Sequence, residues 1–173
     1  MKDEILQRMM ADLGWLAEQI GDHPILKDYL EHKRYWEADK IIRDQICKRL
    51  RDLQGPINDA IRKASKDVRA GSLLSALEGL LNLTEKVANH VRAADYGHSA
   101  LGANIKVNAE DLASILAHDR AALEQLLEAT SAVEGFDEAT AERLKGVLVS
   151  FEKIFDKRTE CLRKVAAAAM KED

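Results

Sequence analysis

The last third of the chain carries a run of mostly apolar side chains spaced alternately four and three residues apart, and this run restricts the possible folds most. Its members are Leu144, Leu148, Phe151, Phe155, Arg158, Leu162, Val165 and Ala169. A mean step of 3.5 residues is the period of helices that pack lengthwise against antiparallel neighbours. The pattern therefore predicts one long helix over 138–170, buried along one side within a helical bundle.

Helical spacing extends over most of the remaining sequence. Steps of three and four residues predict further helices over roughly 6–20, 25–53, 57–68, 73–91 and 109–133. Gly55 and Pro56 separate the second helix from the third, because proline has no backbone N–H to donate inside a helix. The chain has only 2 prolines and 9 glycines, too few for the turns of an all-β protein. We therefore predict an all-α protein: a single antiparallel bundle of five to six helices, two of them long, forming one domain over 1–173.

The predicted helices differ in how much surface they bury. The fourth has the most regular apolar seam and is predicted to be central; the seam consists of Leu73, Leu77, Leu80, Thr84, Val87 and Val91. The second is mostly charged between Glu31 and Lys40, so we expect it to be half exposed there. Ser72 and Asp137 are predicted N-caps, since their side-chain oxygens can accept from free backbone N–H groups.

Charge is unevenly distributed along a chain whose net charge is −4. Residues 27–69 carry 12 bases and 8 acids, 108–142 carry 1 base and 9 acids, and 143–173 carry 8 bases and 5 acids. Opposite blocks favour packing against each other, within the chain or across a dimer, and solvated helix faces are the alternative. Acids interrupt the basic block and no aromatic residue punctuates its basic cluster over 48–69, so the pattern does not favour nucleic-acid binding.

Two polar residues interrupt the apolar seams. Arg158 occupies a seam position of the last helix, and Asp119 lies near the seam of the preceding one. If these two helices form a hairpin turning near 135, the levels of Asp119 and Arg158 differ by six residues, or about 9 Å of helix rise. The levels therefore predict no direct pair between them, and each would meet another helix or a second subunit.

The last helix is longer than the helix predicted before it, so its final turns lie beyond that partner. Either the long second helix or a second copy of the chain could cover the apolar side chains there. Because the second helix is polar in its middle, we predict a homodimer with Leu162 and Val165 in the contact. The alanine-rich segment over 166–173 buries little surface and is predicted to fray.

A long inter-helix loop is predicted over 94–107, where the helical period stops. It contains Asp95, Tyr96 and His98 and follows Arg92, so it holds the candidate ligand-binding residues Asp95 and Tyr96. The spacing from Arg92 to His98 resembles the arginine–histidine signature of HEPN-domain ribonucleases, which are small helical bundles. That resemblance implies that His98 activates the ribose hydroxyl or the leaving group and that Arg92 stabilises the phosphate. The alternative is an ordered loop whose side chains pack against or cap neighbouring helices.

Other kinds of site lack a pattern in the sequence. The paired Glu-x-x-His motifs of di-iron bundles and the His-Glu-x-x-His motif of zinc enzymes are missing, so we predict no metal and no cofactor. Cys47 and Cys161 lie far apart within helical patterns, which is typical of reduced thiols in a cytoplasmic protein. There is neither a run of 18 apolar residues nor a secretory signal pattern, so we expect no membrane association.

These observations favour a non-enzymatic helical bundle that acts through self-association or by binding a protein partner. A HEPN-like ribonuclease or RNA-binding module using Arg92 and His98 is the first alternative. A bundle that binds a small ligand or a metal through the 94–107 loop is the second.

Overall fold

A computed structural model of the chain describes residues 2–20, 35–94, 109–131 and 135–169. These residues form five helices: α1 (Lys2–Ile20), α2 (Tyr35–Ala64), α3 (Gly71–Ala93), α4 (Ala109–Ser131) and α5 (Glu138–Ala169). Helix accounts for 92% of the described residues, and none of them lies in a strand. The prediction of an all-α bundle with five to six helices, two of them long, is confirmed: α2 has 30 residues and α5 has 32.

The described residues divide into two compact units. Unit 1 takes its residues from Met1–Gln45, Ala94–Ala122 and Ile154–Asp173, and unit 2 from Ile46–Ala93 and Leu123–Lys153. Helix α1 belongs to unit 1 and α3 to unit 2, whereas α2, α4 and α5 contribute residues to both. The prediction of one domain over 1–173 stays a prediction.

The predicted apolar seams form the cores of these units. Helix α3 buries Leu77, Leu80, Thr84, Val87, Ala88 and Val91 in unit 2. The seam of α5 is buried from Leu144 to Leu162 at all six predicted positions, Arg158 included. A spacing of 3.5 residues therefore identified the inward faces of both helices correctly, because burial along a helix must repeat with the helical turn.

Helix α2 corrects the predicted break at Gly55 and Pro56. It runs through both residues without interruption, so the predicted helices over 25–53 and 57–68 are wrong as separate elements. Gly55 and Pro56 are exposed, which lets water satisfy the carbonyl that Pro56 leaves without a donor. On the opposite side, Leu53 and Ile57 continue one buried stripe across the proline. Burial of that stripe outweighs the local cost of proline.

Replacing Pro56 by alanine is expected to stabilise the protein by about 1–2 kcal/mol. Proline in a helix interior costs about 3 kcal/mol relative to alanine, and part of this is offset because proline also restricts the unfolded chain. Urea denaturation of the variant and the wild type measures the difference. Gly55→Ala is the matched control, since an added Cβ there has no atom within 4 Å, and its expected gain is about 1 kcal/mol. A loss of stability in Pro56→Ala would contradict this account of α2.

Two predicted N-caps have different outcomes. Asp137 Oδ1 accepts a 2.7 Å hydrogen bond from the backbone N–H of Thr140, so Asp137 caps α5 as predicted. A hydrogen bond with the Thr140 side chain, together with this backbone bond, holds the pKa of Asp137 below its ordinary value. Ser72 is not the cap of α3, because α3 already begins at Gly71 and the Ser72 hydroxyl instead donates to the carboxylate of Glu138.

The predicted loop over 94–107 and the predicted frayed tail over 166–173 lie mostly outside the described residues. Within the predicted loop, only Ala94 is described. Within the predicted tail, residues 166–169 are described, and they belong to the end of α5. Within the described ranges, no helix combines the length and the apolarity that a membrane span requires.

Candidate functional site

The residues that the sequence analysis selected are only partly described by the structure. Arg92 is exposed in the last turn of α3. Asp95, Tyr96 and His98 lie outside the described residues, so their pairing with Arg92 and their roles stay predictions.

The predicted dimer contact is described at one of its two residues. Leu162 is 5% exposed, so the chain itself covers most of this side chain. The side chain of Val165 lies outside the described set. The part that both residues play in a dimer stays a prediction.

A cluster of four buried charged side chains in unit 1 is the most unusual site in the described structure. It consists of Asp39 and Arg43 from α2, Asp119 from α4 and Arg158 from α5, and we call it the charge cluster. Their exposed fractions are 3%, 4%, 0% and 1%, respectively. Fully buried charges of this kind are rare in proteins unless they are paired.

Helical periodicity explains why these side chains point inward. Each of them occupies an apolar-stripe position whose neighbours three or four residues away are buried. Arg158 lies between Phe155 and Leu162, and Asp119 lies between Leu116 and Leu123, all of which are buried. The same holds on α2, where Ile42, Ile46 and Leu50 continue the stripe after Asp39. The three helices therefore carry the charges into the core together with their apolar neighbours.

The hydrogen bonds of the charge cluster connect all three helices. Arg158 donates through Nε to Asp119 Oδ1 and through Nη2 to Asp39 Oδ1. Arg43 donates through Nε to Asp39 Oδ2 at 2.9 Å and through Nη1 to the backbone carbonyl of Ala94 at 3.0 Å. Arg158 thus bridges two carboxylates, and Asp39 is shared by two guanidinium groups.

The contact between Asp119 and Arg158 corrects the prediction that these residues do not pair. A second contact, from Cys161 Sγ to Ser114 Oγ at 3.7 Å, indicates the same register between α4 and α5. Matching the backbone levels of two helices leaves out the direction in which their side chains point. Because helical side chains lean toward the N-terminus of their own helix, Asp119 and Arg158 lean toward each other in an antiparallel pair. The length of the arginine side chain closes the remaining distance.

The charge cluster is neutral as a whole when both aspartates are ionised. Two guanidinium and two carboxylate groups balance each other, which reduces the cost of removing four charges from water. Arginine suits such a position because its planar group offers several donors to carboxylates. Through Asp119 and Arg158, one residue of the acidic block contacts one residue of a basic block, and the packing of the blocks as wholes stays a prediction.

Burial perturbs the ionisation of Asp119. Complete burial raises its pKa from 3.8 to about 6, against the opposing effects of Arg158 and Arg43, while the charge of Asp39 adds to the rise. Its Oδ2 atom is buried and has no hydrogen-bond partner among the described residues. An ionised carboxylate oxygen without a partner is costly in a protein interior, so this oxygen is the natural acceptor for a proton.

His118 lies next to Asp119 on α4, and its pKa is shifted in the opposite direction. Its pKa is lowered by partial burial and by the positive charges of Lys157 and Arg158. At neutral pH the imidazole is therefore uncharged, and it adds no positive charge beside Asp119.

The α2 half of the charge cluster, Asp39 and Arg43, was not predicted from the sequence. The charged stretch between Glu31 and Lys40 predicted a half-exposed segment, without identifying Asp39 as one of its buried residues. The spacing along the helix could have shown that Asp39 lies on the buried apolar face of α2. Steps of three and four residues lead from Asp39 to Ile42, Ile46 and Leu50. A charged residue on an apolar phase indicates a buried pair when an opposite charge follows four residues later, as Arg43 does.

Two further sets of polar side chains link helices to each other, one set within each unit. In unit 1, Arg120 Nη1 donates to Asp12 Oδ1 at 3.0 Å, and its guanidinium lies 5.2 Å from the ring centre of Trp15. In unit 2, Glu152 forms an ion pair with Lys86 at 3.1 Å, and its Oε1 lies 3.3 Å from Nδ1 of His90. Within the described residues, no group of three or more histidine, cysteine, aspartate or glutamate side chains is arranged to hold a metal ion.

Comparisons of the chain with protein-family models, with curated proteins and with solved structures found no match. The functional interpretation therefore depends on the geometry of the chain itself.

Proposed function

We propose that the protein is a non-catalytic helical bundle that acts through self-association or by binding a protein partner. The observation that carries the proposal is an apolar stripe on the solvent side of α1. Leu6 is 48% exposed and Met10 is 57% exposed, one helical turn apart. Adjacent exposed apolar side chains are typical of surfaces that another molecule covers.

The stripe continues along α1 past these two residues. Gly14 follows one turn after Met10, and a Cβ added there would have no atom within 4 Å. Ala17 follows on the same side and is half-buried. We call Leu6, Met10, Gly14 and Ala17 the α1 stripe. Its small residues after two large ones would let a second helix approach closely beside Leu6 and Met10.

The remaining contacts of α1 support a role in presenting the stripe. Met9, Leu13 and Leu16 are buried, and Asp12 is held by Arg120. These contacts fix which side of the helix faces outward. The proposal is therefore that unit 1 holds α1 in place so that the α1 stripe can bind a second copy or another protein.

Light scattering at tens of micromolar protein tests self-association. We expect a wild-type mass of about twice the 19.3 kDa of one chain. The double variant Leu6→Glu, Met10→Glu should have the mass of a single chain with unchanged helical circular dichroism. The control Gln7→Glu, Ala11→Glu adds the same charge at exposed positions of the same helix and should keep the wild-type mass. A wild-type protein of 19.3 kDa would contradict self-association.

A photo-crosslinking amino acid tests the second half of the proposal, a separate protein partner. Incorporated at position 10 in native cells, it should trap one protein that the same group at position 7 does not trap. Equal products at the two positions would contradict a partner specific to the α1 stripe.

A further inference from the structure

Two methionines that are neighbours in the sequence differ sharply in exposure on α1. Met9 is 3% exposed and belongs to the core of unit 1, whereas Met10 is 57% exposed in the α1 stripe. Consecutive residues of an α-helix are rotated by about 100° from each other. This rotation turns one side chain into the core and the other into solvent, so Met10 is far more accessible than Met9 to dissolved oxidants.

We propose that Met10 is an oxidation site for peroxides, and that its conversion to a sulfoxide weakens the self-association of the chain through the α1 stripe. The preference for Met10 over Met9 depends on exposure alone. The effect on assembly rests on the self-association proposed above, in which a second copy of the chain covers Met10.

The reaction transfers one oxygen atom from hydrogen peroxide to the sulfur of Met10. A sulfur lone pair forms the new S–O bond while the O–O bond breaks. The departing oxygen takes the proton of the transferred one and leaves as water. Sulfur loses two electrons and the peroxide gains them, so atoms and charge balance. The product is polar, whereas the thioether is apolar.

The position of Met10 decides what the added oxygen does. In the free chain the sulfoxide contacts water, and the buried side chains of Met9, Leu13 and Leu16 keep their packing. In an assembled pair the same oxygen would be removed from water beside Leu6, one helical turn away, and burying a polar group without a hydrogen-bond partner is costly. Oxidation therefore opposes assembly without unfolding α1, and we expect the dissociation constant to rise by about tenfold or more.

Peptide mass spectrometry tests which methionine reacts. The full-length chain is treated with hydrogen peroxide at a dilution where light scattering gives the mass of one chain. Trypsin cleavage after Arg8 then releases a peptide over 9–27 that contains both Met9 and Met10, and its fragment ions show which sulfur carries the oxygen. Met10 should be oxidised first, while Met9 stays reduced. Equal oxidation of the two, or earlier oxidation of Met9, would overturn the proposal.

Light scattering of the treated protein, concentrated to tens of micromolar, tests the effect on assembly. The mass should fall from about twice 19.3 kDa toward that of one chain, with unchanged helical circular dichroism. Methionine sulfoxide reductase should restore the original mass, because it returns the sulfoxide to the thioether.

Two variants identify the sulfur responsible for the change in mass. Met9→Leu replaces the buried methionine by an apolar side chain of similar volume, and its mass should still fall after peroxide treatment. Met10→Leu removes the exposed sulfur and leaves every other oxidisable side chain in place, including Cys47 and Cys161. Its mass should be the same before and after treatment.

The outcomes separate this inference from the proposed function. An untreated wild-type protein with the mass of one chain would overturn the proposed self-association, and the effect of oxidation on assembly with it. If the untreated protein is a dimer, three results would overturn the oxidation proposal alone. These are an unchanged mass once Met10 is oxidised, a fall in mass that also occurs in Met10→Leu, and a fall that the reductase does not reverse.

Discussion

Replacing Arg158 by methionine is expected to lower the free energy of unfolding by about 3–5 kcal/mol at pH 7, the usual cost of breaking a buried ion pair from one side. The substitution keeps an unbranched side chain in the seam but removes the donor that bridges Asp39 and Asp119. Both carboxylates would then share the single positive charge of Arg43. Urea denaturation of the variant and the wild type measures the loss.

The control for this prediction is Arg62→Met. Arg62 also pairs with an aspartate, but its side chain is 76% exposed, so the expected change is at most about 0.5 kcal/mol. Equal losses in the two variants would contradict a special role for the buried cluster.

The loss of stability caused by Arg158→Met should depend on pH, because the ionisation of Asp119 does. Its pKa in the folded protein is raised to about 6 from 3.8, so the folded state binds this proton more tightly than the unfolded state. The contribution of such a group to stability increases as the pH falls from 7 toward 4. Removing Arg158 also removes a charge that favours the ionised form, which strengthens proton uptake. The deficit should therefore be smaller at pH 5 than at pH 7.

Truncation of the α3 seam is expected to cause the second large effect. Leu80→Ala should cost about 2–5 kcal/mol, because a completely buried leucine loses its packing and leaves a cavity. Leu80 is 0% exposed within unit 2. The matched control is Leu6→Ala, the same substitution in α1 at a side chain that is 48% exposed.

At a protein concentration where the chain is a monomer, the control substitution should cost less than about 1 kcal/mol, since about half of the Leu6 side chain then contacts solvent. Both substitutions replace leucine by alanine within a helix, so their difference mainly reports burial. Denaturation midpoints in the reverse order would contradict the position of the α3 seam in the core.

Patterns among residues that are close in sequence were sufficient to predict most of the fold. The seam from Leu144 to Leu162 identified the buried side of α5, and Asp137 identified its N-terminus. Both depend on residues about one helical turn apart: the seam on the repeat of apolar positions, and the N-cap on one side-chain hydrogen bond. Such interactions can be found from residues that are close in sequence.

Local pattern failed where a distant contact decides the outcome. Pro56 signals a helix end, but burial of Leu53 and Ile57 keeps α2 continuous. Asp39 and Lys40 belong to the same charged stretch, yet Asp39 is buried and Lys40 is exposed. Each of these outcomes depends on which other helix covers the residue.

By itself, the sequence determined that this protein is helical and which side of each seam-bearing helix turns inward, because helical periodicity is a property of neighbouring residues. Only the tertiary structure decided that α2 continues through Pro56 and that Asp39, Arg43, Asp119 and Arg158 meet in one cluster. The four charges lie up to 119 residues apart in the chain. Their pairing depends on the register of three helices and on side-chain reach, and burial is what converts that pairing from a weak surface contact into a strong one.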